Sequence, residues 1–121
     1  MKIEWEDLPK LAEFAFLGLH GGRGENGSVQ GMLEMLGLPY NGPGVFTSSL
    51  CMDKFKTNQF LKSAGLNTPE ATLVNLKDWQ TNQEKVLSSF TRSPYIAKPH
   101  NDGCSIEVAK VSNQKELVTA V

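Results

Sequence analysis

The chain has 121 residues, 40% hydrophobic and 21% charged, so it has enough apolar material for one packed domain but is too short for two full-sized ones. Twelve Lys and Arg against thirteen Asp and Glu residues give a formal net charge of -1, so no bulk charge is available to hold a nucleic-acid backbone or an anionic membrane. The longest apolar run, residues 14–19, is far below the ~20 residues that span a bilayer. With no basic leader and no C-x-x-C pair, the sequence predicts a soluble, reduced, cytoplasmic protein.

The first predicted elements are a strand, a glycine-rich loop and a helix. Residues 1–11 are polar and predict a weakly anchored lead-in with a short helix. Residues 14–19 are apolar on both faces, which is typical of a strand buried in a parallel sheet. Residues 20–27 then form a loop, after which Ser28 is predicted to cap a helix that ends at Gly37.

Further along the chain, apolar periodicity and turn signals predict short strands and amphipathic helices. Pro69 biases the residue before it away from helix, so residues 66–69 are predicted to be an extended linker. We therefore expect a domain boundary that divides the chain into residues 1–66 and 67–121. The other predicted elements are a strand at 38–40, a helix at 45–65 that bends near Asp53, a strand at 72–74, a helix at 76–90 capped by Asn75, and an antiparallel hairpin of residues 94–99 and 106–111.

The glycine-rich loop is compatible with more than one kind of site. Residues 22–27 fit G-x-G-x-x-G, the dinucleotide fingerprint found between a strand and a helix. That fingerprint also needs an acidic residue about 20 positions on, and none lies between Glu34 and Asp53, so a dinucleotide site is disfavoured. An anion site at the helix N-terminus formed by Gly27 and Ser28 and a plain strand-to-helix turn fit the spacing equally well.

Single side chains give weaker signals. Lys98 ends a predicted strand before a loop containing Gly and Ser, where its ammonium group can bind a phosphate; a solvated lysine on an exposed strand edge is the alternative. His20 and His100 have no metal-ligand spacing, and we predict no metal site. Cys104 is interpreted as a small filler residue in an exposed loop, and Cys51 as part of the core.

Three segments carry family motifs in combination. Residues 16–34 read FLGLHGGRGENGSVQGMLE and are similar to a loop and helix of the pattern L-H-G-x-x-G-E-D-G-x-x-Q-G. LPYNGPGV at 38–45 with MDK at 52–54, and IAKP at 96–99 with GCS at 103–105, are similar to P-Y-x-G-x-G-V, M-D-K and K-P-x-x-x-G-S-S. Together they resemble the D-alanine–D-alanine ligases of the ATP-grasp superfamily. The resemblance implies an α/β fold, the end of a Rossmann-like pre-ATP-grasp domain followed by the first part of an ATP-grasp small lobe.

The resemblance also implies a reaction and its site. ATP phosphorylates the carboxylate of one D-alanine, and the amine of a second D-alanine attacks the acyl-phosphate in peptidoglycan precursor synthesis. Lysines and backbone N–H groups would neutralise the anionic oxygens during phosphoryl transfer. The implied substrate-side residues are His20, Gly21 and Glu25, and the implied phosphate-side residues are Lys54 and Lys98, which converge on one triphosphate cleft, with Cys104 and Ser105 in the loop that closes over the γ-phosphate.

The sequence also departs from the family pattern. Cys104 stands where the family usually has serine, and Glu107 where it usually has glycine. The last predicted helix, capped by Ser112 and starting at Gln114, reaches Val121 without a stop signal. The family's Mg²⁺ ligands, adenine-holding hinge and substrate-clamping arginine have no counterpart here. We therefore expect a fragment or remnant of such a ligase that does not turn over alone.

Two other functions stay open at this point. The first alternative is a non-catalytic module that binds nucleotide or self-associates as a homo-oligomer through unpaired sheet edges. The second alternative is another ATP-grasp carboxylate–amine ligase that acts on a different amino acid. Concentration-dependent light scattering tests the first alternative. Thermal shifts across a panel of amino acids test the second.

Overall fold

Short helices make up most of the regular structure in the computed structural model, which describes residues 3–121. The predicted lead-in is a 3₁₀ turn followed by a helix, and its residues 1 and 2 lie outside the described part. No helix within residues 3–121 is long and apolar enough to cross a membrane. The elements are the 3₁₀ turn Trp5–Asp7, α1 Leu8–Leu11, α2 Gly22–Glu25, α3 Ser28–Met35, α4 Val45–Met52, α5 Lys54–Ser63, α6 Leu76–Thr81, α7 Gln83–Ser88, β1 Tyr95–Ala97, β2 Ala109–Val111 and α8 Gln114–Ala120.

The two predicted N-terminal strands meet at a single parallel bridge, between Ala15 and Tyr40. Beside it, the Asn41 amide takes the place of a further backbone pair, because Leu17 N donates to its Oδ1 (2.5 Å) and its Nδ2 donates to Leu17 O (3.3 Å). The prediction of a buried strand is wrong, since Phe16 is 81% exposed. Within residues 3–121 no second strand pairs with this segment, so it is not part of a larger parallel sheet.

The N-cap residue of α3 is a glycine and not the predicted serine. Gly27 is its N-cap with φ +93°, and the Ser28 N–H donates to Asn26 Oδ1 (3.1 Å). A Cβ atom at Gly27 would lie 2.9 Å from the Val45 carbonyl oxygen. The loop therefore needs glycine here both for its left-handed backbone and for the close approach of α4.

Gly37 is the residue that stops α3, as predicted. Gly37 has φ +66°, its N–H donates to Glu34 O, and the next N–H, from Leu38, donates to Leu33 O. This pair of bonds is a Schellman motif, with an apolar contact between its two ends. Leu33 and Leu38 are 2% and 4% exposed, so the motif also contributes to the small core.

The predicted bend near Asp53 is confirmed as the junction between α4 and α5. Asp53 has an extended backbone and caps α5, because its Oδ1 accepts from the Lys56 N–H at 2.9 Å. That hydrogen bond is the main reason why the pKa of Asp53 lies below its ordinary value of 3.8. Cys51, two residues earlier, is exposed, so its assignment to the core is wrong.

The predicted helix at 76–90 is two short helices. Asn75 caps α6, as predicted, by accepting from the Asp78 N–H (2.8 Å). Asn82 interrupts the helix with φ -153° and caps α7 by accepting from the Lys85 N–H (3.2 Å). Asparagine side chains compete for backbone N–H groups in this way, which explains the break. Residues 72–74 form no strand, so that prediction is wrong.

The predicted hairpin is confirmed, with Tyr95 opposite Val111 in an antiparallel pair. The inner face of β2 packs against α8, where Val111 and Leu117 are 2% and 4% exposed. Strand β2 starts only at Ala109, three residues later than predicted. This hairpin and helix form the second small core.

The cap of α8 is one residue later than predicted. Asn113 Oδ1 accepts from the Glu116 N–H (3.0 Å), and Glu116 Oε2 accepts from the Ser112 N–H (2.8 Å). The reciprocal pair satisfies two backbone donors at the helix start. Ser112 thus donates its backbone N–H to Glu116 and is not the cap itself.

The loop between β1 and β2 has an unusual backbone. Cys104, Ser105 and Glu107 have φ of 56°, 54° and 55°, in the left-handed region where a Cβ atom is costly. This replaces the predicted start of a strand at residue 106 with a series of turns. The glycine that the family usually has at position 107 would fit this conformation without strain.

We expect Glu107→Gly to raise the free energy of unfolding by about 0.5–1 kcal/mol, because relief of left-handed strain exceeds the added freedom of the unfolded chain. Glu107→Ala is the control, since it removes the carboxylate but keeps the Cβ atom. Urea unfolding measures both. An equal gain in the two variants would attribute the effect to charge and contradict the backbone explanation.

We expect Asp53→Ala to lower the free energy of unfolding by about 1 kcal/mol at neutral pH through loss of the α5 cap. Because the folded-state pKa of Asp53 is lowered, its contribution is complete above the ordinary value of 3.8 and is lost as the pH falls through the lower folded value. Asp53→Asn keeps an uncharged cap, so the stability difference between wild type and this variant should shrink in acid. Urea unfolding at neutral and acidic pH decides; a pH-independent difference contradicts this account.

Candidate functional site

An open cleft of about 430 Å³ lies where the two halves of the chain meet. Its walls come from the glycine-rich loop with α2, from α3 and α4, from the start of α5, and from the loop that joins β1 to β2. The polar side chains among its lining residues are Glu25, Gln30, Asn41, Ser48, Lys54 and Asp102.

Lys54 joins α5 to the loop after β1. Its backbone N–H donates to the His100 carbonyl oxygen (2.8 Å), and its Nζ donates to the Asp102 carbonyl oxygen. The cap by Asp53 fixes the preceding residue, so Lys54 starts the helix in a defined direction. One lysine thus holds two backbone carbonyls of the loop while its charge lines the cleft.

Glu25 closes α2 on the opposite wall. Its Oε2 accepts from the Gly21 N–H at 2.7 Å, and Gly103 packs directly against this pair. A Cβ atom at Gly103 would lie 3.1 Å from Glu25 Oε2 and 3.2 Å from the Gly21 Cα. Glycine at position 103 therefore allows the loop from the second half to touch the glycine-rich loop of the first.

A buried amide forms the floor between α2 and α3. Gln30 is 5% exposed, and its Nε2 donates to the Gly24 carbonyl oxygen (3.1 Å). Its Oε1 is buried and has no hydrogen-bond partner within residues 3–121. This residue is the glutamine of the family pattern but was not among the predicted site residues; its spacing of three from Leu33 places it on the apolar face of the helix.

Two pKa shifts occur beside the cleft. Tyr40 OH donates to Glu34 Oε1 (2.6 Å), and this hydrogen bond to a carboxylate raises the pKa of Tyr40. The lowered pKa of Asp53 has a small contribution from the charge of His100 in the loop. Both groups hold neighbouring segments in position and do not line the cleft themselves.

The structure brings together only part of the predicted site. Glu25 and Lys54 line the cleft. Gly21 lies beside it, where its N–H donates to Glu25 Oε2 and a Cβ atom would lie 3.9 Å from Cys104 Sγ. The other predicted residues are exposed and do not line the cleft, so Lys54 is the cleft-lining member of the predicted lysine pair. These residues are His20, Lys98, Cys104 and Ser105.

The charges of the cleft suit small ligands that carry both signs. Within residues 3–121, neither the Glu25 carboxylate nor the Lys54 ammonium group forms an ion pair. Lys54 and the adjacent glycine at 103 fit a phosphate oxygen, which binds ammonium and backbone N–H groups. Within residues 3–121, no three His, Cys, Asp or Glu side chains are grouped to hold a metal ion.

Comparison with known proteins gives matches in both halves. The family model described as "D-ala D-ala ligase N-terminus" matches residues 2–43, and "D-ala D-ala ligase C-terminus" matches residues 60–121. The D-alanine--D-alanine ligase of Pseudomonas entomophila is 44% identical over 107 residues, 88% of this chain and 32% of that protein.

Solved structures match at the level of the fold as well. The VanG D-Ala:D-Ser ligase of Enterococcus faecalis has a TM-score of 0.79 at 30% identity. The match covers 89% of this chain and 31% of the VanG chain. The D-alanine--D-alanine ligase of Bacillus anthracis complexed with ATP has a TM-score of 0.73 at 36% identity. That match covers 96% of this chain and 38% of the Bacillus anthracis chain.

These matches extend over most of this chain and a smaller share of the relatives. The chain spans about a third of the length of the curated relatives it matches. Its α/β architecture, with a small two-stranded sheet, is that of part of these ligases. Since the C-terminal model alone matches residues 60–121, which is more than half of the chain, the chain belongs to the D-alanine–D-alanine ligase family.

Proposed function

We propose that this chain carries the junction between the substrate-binding and ATP-binding parts of an ATP-dependent D-alanine–D-alanine ligase of peptidoglycan precursor synthesis. The supporting observation is that the cleft is built from both halves: Glu25 belongs to the segment matched by the N-terminal model, and Gly103 to the segment matched by the C-terminal model. The domain boundary near residues 66 and 67 is part of this proposal.

The proposed roles follow the two sides of the cleft. Glu25 and Gly21, with His20 beside them, bind the D-alanine side, because a carboxylate attracts an ammonium group. Lys54 binds a phosphate group of ATP, and the loop contributes three further phosphate ligands when it closes on the nucleotide. These three are Lys98, Cys104 and Ser105.

The chain alone is proposed to bind ATP without turning it over. Phosphoryl transfer needs the charge of the transferring group to be neutralised, in large part by divalent cations, and no three His, Cys, Asp or Glu side chains of the described residues are grouped to hold one. A coupled ATPase assay with D-alanine tests this. Turnover well above background from the purified chain would contradict it.

The second amino acid has a specific alternative. The VanG neighbour is named a D-Ala:D-Ser ligase and shares the fold at a TM-score of 0.79, so D-serine is the second candidate. Thermal shifts with D-alanine, D-serine and L-alanine separate the two and test stereochemistry together. A shift with L-alanine equal to that with D-alanine would contradict both candidates.

We expect Lys54→Met to weaken ATP binding about tenfold, because a charge-assisted hydrogen bond to phosphate is lost. Lys56→Met is the matched control: it removes one charge from the same helix at a side chain that is 71% exposed and does not line the cleft. Isothermal titration measures both. Equal weakening in the two variants would assign the effect to net charge and not to the cleft.

We also expect Lys98→Met to weaken ATP binding, because its ammonium group stands at the start of the proposed phosphate loop. Lys110→Met is the control, since Lys110 is exposed on the neighbouring strand β2 and pairs across it with Ile96. The same titration applies. Wild-type affinity in Lys98→Met would remove this lysine from the proposed phosphate ligands.

A further inference from the structure

Gln30 is a buried polar residue of the cleft that the proposed roles leave unused. Gln30 lines the cleft yet is only 5% exposed. Its amide orientation follows from its partner, because turning it over would place Oε1 against the Gly24 carbonyl oxygen, and two acceptors do not pair. Oε1 is therefore left as a buried acceptor with no donor in the described chain.

Such an atom is costly to bury, so a donor that enters the cleft gains by pairing with it. The neighbouring charges indicate which donor. The Glu25 carboxylate lines the same cleft and favours a positively charged group, while the Lys54 ammonium group on the other wall favours a negative one. A zwitterionic amino acid carries both groups at a short separation.

We propose that Gln30 is a substrate-binding residue whose Oε1 accepts a hydrogen bond from the ammonium group of the amino acid in the cleft. This inference rests on the proposed function for the identity of that amino acid, D-alanine. Nε2 keeps α2 in place through Gly24, and Oε1 selects ligands that carry an amine. Gln30 therefore discriminates D-alanine from an acid of the same carbon skeleton without an amine.

The test is a titration of the ¹⁵N-labelled full chain with D-alanine and with propionate, which has the same skeleton and carboxylate but no ammonium group. Wild type should prefer D-alanine. Gln30→Met removes the acceptor and should reduce that preference about tenfold. Gln30→Glu loses the Nε2 donor but keeps an acceptor, and should retain the preference; Gln59→Met, exposed on α5, is the neutral control.

The two variants separate recognition from support. Both lose the bond to Gly24, so a purely structural role predicts equal loss of preference in both, and that result would overturn the proposal. No preference in wild type would overturn it as well. If Gln30→Met does not fold, the Gln30 side-chain amide signal of wild type decides: it should shift with D-alanine and not with propionate, and an unmoved signal refutes the role.

ATP binding on the same samples keeps the two proposals distinct. Dependence of ATP affinity on Lys54 tests the proposed function without involving Gln30. If that dependence is found and the preference for D-alanine over propionate is unchanged in the Gln30 variants, the inference about Gln30 fails and the proposed function stands. If ATP affinity does not depend on Lys54, the proposed function fails whatever the Gln30 variants do.

Discussion

The site depends on the contact between Lys54 and the loop after β1. The backbone N–H and the Nζ of this one residue donate to the carbonyl oxygens of His100 and Asp102, and these bonds cross 46 and 48 positions of sequence. Few other contacts tie the loop to the first half of the chain as directly. The closure cost of so long a loop is moderate, and the bonds are made to a helix start that Asp53 already holds rigid.

The loop in turn depends on glycine at its point of closest approach. A Cβ atom at Gly103 would lie 3.1 Å from Glu25 Oε2 and 3.2 Å from the Gly21 Cα, closer than ordinary van der Waals contact, so a side chain here would push its neighbours away. The residues that follow it are not glycine, although their backbone is left-handed at Cys104 and Glu107. The same short segment therefore combines one position that favours glycine with others that tolerate a strained side chain, which is common at ligand loops.

Local signals predicted the parts of this fold that local interactions determine. The bend at Asp53, the cap at Asn75 and the stop at Gly37 follow from residues within a few positions of one another, and the antiparallel hairpin joins two strands that are close in the sequence. The buried strand at 14–19 was wrong because burial of a strand depends on partners distant in sequence, and apolar composition alone does not supply them.

The site followed a similar division. The family resemblance predicted Glu25 and Lys54, which line one cleft, and Gly21, which packs against Gly103 beside it. It also predicted Lys98, which is exposed and does not line the cleft. Gln30 matches the glutamine of the family pattern but was not among the predicted site residues, because the motif does not show how its side chain packs. Its burial and its unpaired oxygen appear only when α2 is packed against α3.

The approach of Gly103 to Gly21 is the most direct test of this account. A Cβ atom added at Gly103 would lie 3.2 Å from the Gly21 Cα. The α protons of the two glycines should therefore give a strong nuclear Overhauser effect in the labelled chain without any ligand. The account predicts that cross-peak together with those of the β1–β2 hairpin. An intact hairpin with no Gly21–Gly103 cross-peak would contradict the claim that the two halves form one site.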